Sequence, residues 1–142
     1  MRKNVKQQLA LRVLSTAALM AMVSSIATAA FAAEYNVTKG SVEIEAKDGI
    51  QSITQRDDTG AFVTDKDGKN IDHRPDDDII LTTKNKDTGE TETTHNTVTI
   101  TAEEKGDTAN VTLKDVDIEV DTAKAKSGAI EIKGDGNTNL EL

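Results

Sequence analysis

Beyond Ala32 the chain carries short bursts in which apolar and polar residues alternate with a period of two. Residues two apart share one face of a strand, so each burst predicts a strand with one buried and one wet face. Val42, Ile44 and Ala46 form the first burst, closed by the turn pair Asp48 and Gly49. Ile50 and Ile53 follow more loosely. Residues 55–94 are poorly patterned around the single Pro75, with two apolar islands, Phe62 with Val63 and Ile79 to Leu81. Residues 84–94 contain no apolar residue, which predicts a long hairpin tip or a disordered loop.

From Asn96 the pattern becomes regular. Val98 and Ile100 alternate with threonines, Val111 and Leu113 flank Thr112, Val116, Ile118 and Val120 alternate with acids, and Ile130 and Ile132 flank Glu131. Leu140 and Leu142 close the series around Glu141. Val111 to Ile130 and Val120 to Leu140 are each separated by about 20 residues, the spacing expected of one rung of a parallel β-solenoid. Between Leu113 and Val116 the apolar phase slips by one at Lys114 and Asp115. A corner restarts the inward set in this way, and so does a bulge in an antiparallel strand. The expected fold is therefore all-β, a parallel β-helix start, with an antiparallel β-sandwich as the alternative. No stretch beyond Ala32 shows helical spacing.

The segment 1–32 differs. Arg2, Lys3, Lys6 and Arg12 precede an almost uncharged Ala/Leu/Met/Val run, and Ala30, Phe31 and Ala32 then read small, any, small. That order is the order of a secretory signal peptide, helical while uncleaved, and predicts cleavage after Ala32, with the mature chain secreted or at the cell surface. The competing reading is an uncleaved membrane anchor, weakened by Ser15, Thr16, Ser24, Ser25 and Thr28 within the run. Without cysteine the chain has no disulfide, no thiolate metal site and no lipidation site.

Removing the leader changes the arithmetic. The whole chain has a net charge of −8, but the four cations Arg2, Lys3, Lys6 and Arg12 leave with the leader while all 25 acids stay, so 33–142 carries a net charge of about −12. Ile, Leu, Val and Phe make only about a fifth of that mature segment, a sparse supply of core. Acidity excludes a basic nucleic-acid footprint. Only Tyr35 and Phe62 remain as aromatic platforms for a sugar ring.

The runs Asn96 to Glu104, Ala109 to Ile118 and Gly128 to Ile132, with Gly134 to Asn137 and Leu140 to Leu142, resemble the opening rungs of large secreted β-helix surface proteins of anaerobic Gram-positive bacteria. The segment Tyr35 to Ile44 is similar to the start of their mature chains. The pattern is similar to that of the carbohydrate-binding β-helix family of clostridial cell-surface proteins. The resemblance implies a non-enzymatic, adhesin-like surface protein that meets polysaccharide or host glycan through downstream rungs. It further implies a cap region over residues 33–95 with acidic loops, first rungs over 96–142, and further rungs beyond them. On this expectation the chain is the N-terminal part of a longer protein.

Its motifs are repeat positions rather than catalytic signatures, so no catalytic, cofactor-binding or metal-ligating residue is assigned. Asp65, Asp67, Gly68 and Asp72 resemble half of a calcium loop, but position 1 falls on Val63 and position 12 on Arg74. Asp76, Asp77 and Asp78 form an acidic turn that keeps a secreted protein soluble, with weak surface calcium as the one cofactor left open. His73 and His95 are too few for a histidine metal triad. The sequons at Asn36 and Asn110 are frequent by chance in an Asn- and Thr-rich chain. A β-helix polysaccharide-processing enzyme is the remaining alternative, for which no acid–base constellation stands out.

Overall fold

The computed structural model describes residues 33–121, 123 and 128–142; the leader and its cleavage site lie outside them. The described chain is all-β. Its strands are β1 (Glu34–Asn36), β2 (Ser41–Lys47), β3 (Ile50–Arg56), β4 (Arg74–Pro75), β5 (Ile79–Thr82) and β6 (Thr93–Thr94). They continue as β7 (Val98–Ala102), β8 (Thr108–Leu113), β9 (Asp117–Ile118), β10 (Ile130–Lys133) and β11 (Asn137–Glu141). A 3₁₀ turn, Val37–Lys39, links β1 to β2 and is capped by the Asn36 side chain, which accepts from Thr38 N–H at 2.9 Å.

The strands form three sheets, ordered β1-β5-β8-β11, β10-β7-β2-β3-β4 and β6-β9. Among the described residues every pairing of named strands is parallel except those of β3 with β2 and β4. An antiparallel sandwich does not describe such ladders. The chain visits the sheets in a fixed order: β2, β5 and β6, then β7, β8 and β9, then β10 and β11. Each visit stacks on the one before with side chains in register, so Ile44 lies beside Ile100 and Ile100 beside Ile132.

This register corrects the expected repeat length. Ile130 pairs with Val98 and Asn137 with Thr108, so these levels are offset by about 30 residues rather than by the shorter beat of the apolar bursts. The step from Val111 to Ile130 connects β8 to β10, which belong to different sheets. Val120 also lies outside the paired segment, since β9 ends at Ile118.

The core follows the alternation. Val42, Ile44 and Ala46 on β2, Val98, Ile100 and Ala102 on β7, Ala109 and Val111 on β8, and Ile79 and Leu81 on β5 are all buried. Tyr35, Val37, Ile53 and Ile71 complete it. Of the loosely patterned pair Ile50 and Ile53, Ile53 is buried and Ile50 is 59% exposed.

Turn chemistry sets the corners. Asp48 (φ 54°) and Gly49 (φ 77°) both adopt positive φ in a two-residue hairpin joining β2 to β3, the twist that matches the paired strands. The buried Asp107 stabilises this hairpin from the next level: one carboxylate oxygen accepts from Gly49 N–H at 3.2 Å, the other from Glu104 N–H at 3.1 Å. The expected corner at Lys114 and Asp115 is present, with Asp115 at φ 54°. Thr83 fills it from the level before, its buried hydroxyl donating to Asp115 O and accepting from Asp117 N–H. Residues 84–91 form a hairpin tip, closed by an Asn85 N–H bond to Glu90 O at 2.8 Å.

Candidate functional site

The acidic motifs singled out in the sequence are occupied by the fold itself. Asp65 closes its own turn, one oxygen accepting from Asp67 and Lys69 N–H at 2.8 and 2.9 Å while the other meets Arg74 at 3.1 Å. These backbone donors, Lys69 first, hold its carboxyl below the ordinary range. Asp57 is held low in the same way, chiefly by the Thr59 hydroxyl. In the acidic turn Asp76 is half-buried, whereas Asp77 points to water. Among the described residues no three metal-ligating side chains are placed to hold one ion.

The two histidines are far from forming a pair. His73 Nδ1 lies 2.6 Å from Asp72, and His95 Nδ1 lies 2.6 Å from the backbone oxygen of Glu119. Both sequon asparagines are engaged: Asn36 Nδ2 donates to Lys84 O, and Asn110 Oδ1 accepts from Asn139 Nδ2. Neither aromatic ring presents an open platform. Tyr35 is in the core, and the half-buried Phe62 carries the Arg56 guanidinium 4.0 Å above its ring.

Tyr35 is also the centre of a polar cluster that sequence reasoning missed. Its hydroxyl donates to Asp76 Oδ2 at 2.7 Å, and Asp78 N–H donates to Oδ1 of the same carboxylate at 3.1 Å. Gln51 Nε2 reaches across from β3 to Asp76 O at 2.8 Å and Asn110 O at 3.1 Å, while its Oε1 accepts from Asn110 N–H. The amide thus satisfies a stretch of β8 backbone beyond the start of β5. Burial, opposed by the Tyr35 bond, pushes the Asp76 carboxyl up, and burial pushes the Tyr35 hydroxyl up as well.

This shift has a definite sign. Because the folded value of Asp76 lies above the ordinary 3.8, the folded state holds its proton more tightly. Its contribution to stability is intact below the ordinary value and is lost as pH rises through the folded value. Asp57 and Asp65 act oppositely, contributing above their ordinary value and losing that contribution as pH falls. Asp76→Asn is therefore expected to remove the loss on the rising side and leave the acid-side loss in place, as read by denaturation midpoints across an acidic pH series. Tyr35→Phe deprives the carboxylate of its hydroxyl donor and should cost about 1–3 kcal/mol, more above the Asp76 value than below it.

An open concavity lies at the end of the stack. Leu113, Asp115, Val116, Ile118, Ala129, Ile130 and Leu142 line it. β10 and β11 are the terminal strands of their sheets on this side. Their inward residues are less covered than the equivalents behind them: Ile132 is 43% exposed, where Ile100 and Ile44 are closed. The concavity's one charged lining group, the Asp115 carboxylate, meets the Lys84 ammonium at 3.5 Å, and the rest of the lining offers apolar contact. Comparison with family profiles, with curated proteins and with solved structures found no match. No helix among the described residues is long and apolar enough to cross a membrane.

Proposed function

We propose that the chain is a non-enzymatic structural module, the N-terminal cap and first rungs of a parallel β-solenoid in a secreted, adhesin-like surface protein of the carbohydrate-binding β-helix type. The observation that carries this reading is the repeated visit of the chain to its sheets, with Ile130 paired in parallel to Val98 and Asn137 to Thr108. Residues 33–95 act as the cap region and 96–142 as the first rungs. The β2–β3–β4 excursion supports the capping role: it adds two antiparallel strands on one side of the second sheet and ends it with Pro75, which has no N–H to offer a further strand.

The side chains support scaffold rather than ligand. Asp57, Asp65 and Asp76 are tied into turns and the aromatic rings are covered, so glycan contact belongs to downstream rungs rather than to these. Secretion rests on the leader pattern in residues 1–32.

A glycan array probed with the purified chain, with and without calcium, tests this assignment. The scaffold reading expects no retained glycan in either condition. Binding that survives chelation would place recognition within these residues and overturn it.

A further inference from the structure

We infer that residues 55–71 close into a three-way backbone ring that seals the outer edge of β3, and that opening this ring lets the edge pair antiparallel with β3 of a second copy of the chain. The seal lies on the β4 side of the second sheet, away from β10, and does not depend on the solenoid reading.

The ring follows from one turn used twice. Asp57 Oδ1 accepts from Thr59 and Ala61 N–H at 2.9 and 3.0 Å, Gly60 N–H bonds to Asp57 O at 3.0 Å, and Asp57 N–H bonds to Ala61 O at 2.8 Å. The same pattern recurs from Asp65: its Oδ1 accepts from Asp67 and Lys69 N–H at 2.8 and 2.9 Å, Gly68 N–H bonds to Asp65 O at 3.0 Å, and Asp65 N–H bonds to Lys69 O at 2.8 Å. Each turn folds its flanks into a short arm, Arg56 against Phe62 and Thr64 against Asn70. Two equal arms return the chain twice to the same place, so Gln55, Val63 and Ile71 meet there. Val63 N–H bonds to Gln55 O at 2.9 Å, Ile71 N–H to Val63 O at 2.9 Å and Gln55 N–H to Ile71 O at 3.0 Å. That cycle is closed, with Gln55 and Ile71 buried and Val63 half-buried against the core.

β3 is the strand that such a ring protects. Its inner side pairs with β2 along its whole length, whereas on the outer side β4 covers only Ser52 and Ile53. The remaining outer groups are covered by the chain that follows. Gln51 O accepts from Asp76 N–H at 3.0 Å, and the ring takes both the N–H and the carbonyl of Gln55. His73 N–H donates to Thr54 Oγ1 at 2.9 Å, which draws the exit from the ring over the strand. Unpaired edge groups are a template for another strand, and β3 is synthesised before the residues that cover it.

The sequence of β3 fits a second copy. Alternation turns the backbone groups of Gln51, Ile53 and Gln55 outward, so an antiparallel pair centred on Ile53 sets Gln51 of each copy opposite Gln55 of the other. Ser52 then faces Thr54, and Arg56 faces Ile50. β3 carries no acid in a chain with 25 acids against 17 Lys and Arg, so this pairing avoids the like charge that the rest of the surface presents.

The test opens the ring in the purified chain. Asp57→Ala combined with Asp65→Ala removes the acceptors that close both turns, while Asp57→Asn combined with Asp65→Asn keeps an acceptor oxygen in each. In the alanine variant amide exchange at Val63 and Ile71 is expected to accelerate at least about ten-fold while β7 and β8 stay protected. Sedimentation at physiological salt, which screens the overall negative charge, should then show a dimer that grows with concentration, with Gln55 N–H exposed in the monomer and protected in the dimer. The asparagine variant should match the unmodified chain. Gly60→Ala combined with Gly68→Ala strains the same turns at positive φ with open space around each Cβ, and should give the same dimer at higher concentration. An open ring without added association, or with association that protects β10 and β11 in place of Gln55, overturns the inference and leaves the solenoid reading standing. Protected amides at Val63 and Ile71 in both the alanine and the glycine-replaced variants also overturn it, because the turns would then not hold the ring shut. Loss of protection at β7 and β8 in both would make the arms part of the global fold and remove the seal as well.

Discussion

Ile100→Ala is expected to destabilise the protein by about 2–5 kcal/mol, enough to bring it close to unfolding at room temperature. Ile100 is fully buried, at the middle of β7, with Ile44 beside it in register on one side and Ile132 on the other. Removing its branch opens a void that both neighbours border, and the parallel strands fix those neighbours too firmly for the void to collapse. The core also has little in reserve, because Ile, Leu, Val and Phe together supply only about a fifth of the segment 33–142. Denaturant unfolding followed by circular dichroism reads the effect. Ile50→Ala is the matched control: at 59% exposure it should change stability by no more than about 0.5 kcal/mol. Equal effects of the two substitutions would mean that the buried column is not where it is described.

Gly134→Ala is the second large effect, and it should be local. Gly134 has φ +94°, and a Cβ there would lie 1.8 Å from Ala102 O and 2.6 Å from its carbonyl carbon. Both obstacles are backbone, so no side-chain rotation relieves the clash. The turn that contains Gly134 sits directly on the turn between β7 and β8: Asp135 N–H bonds to Glu103 O, Gly136 N–H to Ala102 O and Asn137 N–H to Asp107 O, at 3.3, 3.0 and 2.9 Å. Lifting it separates β10 and β11 from the strands behind them. The expected cost exceeds about 2 kcal/mol, with amide exchange accelerated in residues 130–141 and preserved in β7 and β8. Gly49→Ala shares the positive φ but meets open space, so it should cost only about 1 kcal/mol of backbone strain. The difference between the two glycines measures the close approach of successive levels.

The legible parts of the sequence were those where burial on one face forces alternation. β2, β7 and β8 could be read from Val42 to Ala46, Val98 to Ile100 and Val111 to Leu113, since a period of two has one structural meaning when one face is dry. The Asp48–Gly49 turn was legible because positive φ selects few residue types, and the Lys114–Asp115 corner because the apolar phase slips there.

The repeat length was not legible for a geometric reason. Apolar bursts recur once per sheet rather than once per level, so Val111 and Ile130 look like equivalent positions while lying on different sheets. Only the hydrogen-bonded register separates the two distances. Residues 51–55 were read as loosely patterned because their buried positions include Gln51 and Gln55, polar residues normally found outside. Gln55 is satisfied inside by donating to Asn36 O and Gly40 O at 2.8 and 2.9 Å, a role that no local pattern announces. The Tyr35–Asp76 bond and the Asn110–Asn139 stack each join residues far apart in the sequence. Both depend on the register and appear only once the strands are paired.

The central claim is that successive levels stack in parallel, Ile44 on Ile100 and Ile100 on Ile132. Backbone nuclear Overhauser contacts in the isotopically labelled chain test it most directly. The account predicts contacts linking Ile100 to both Ile44 and Ile132, and Val111 to both Ile79 and Leu140. Contacts linking Val111 to Ile130 across a shared ladder, in the shorter beat of the apolar bursts, would contradict it.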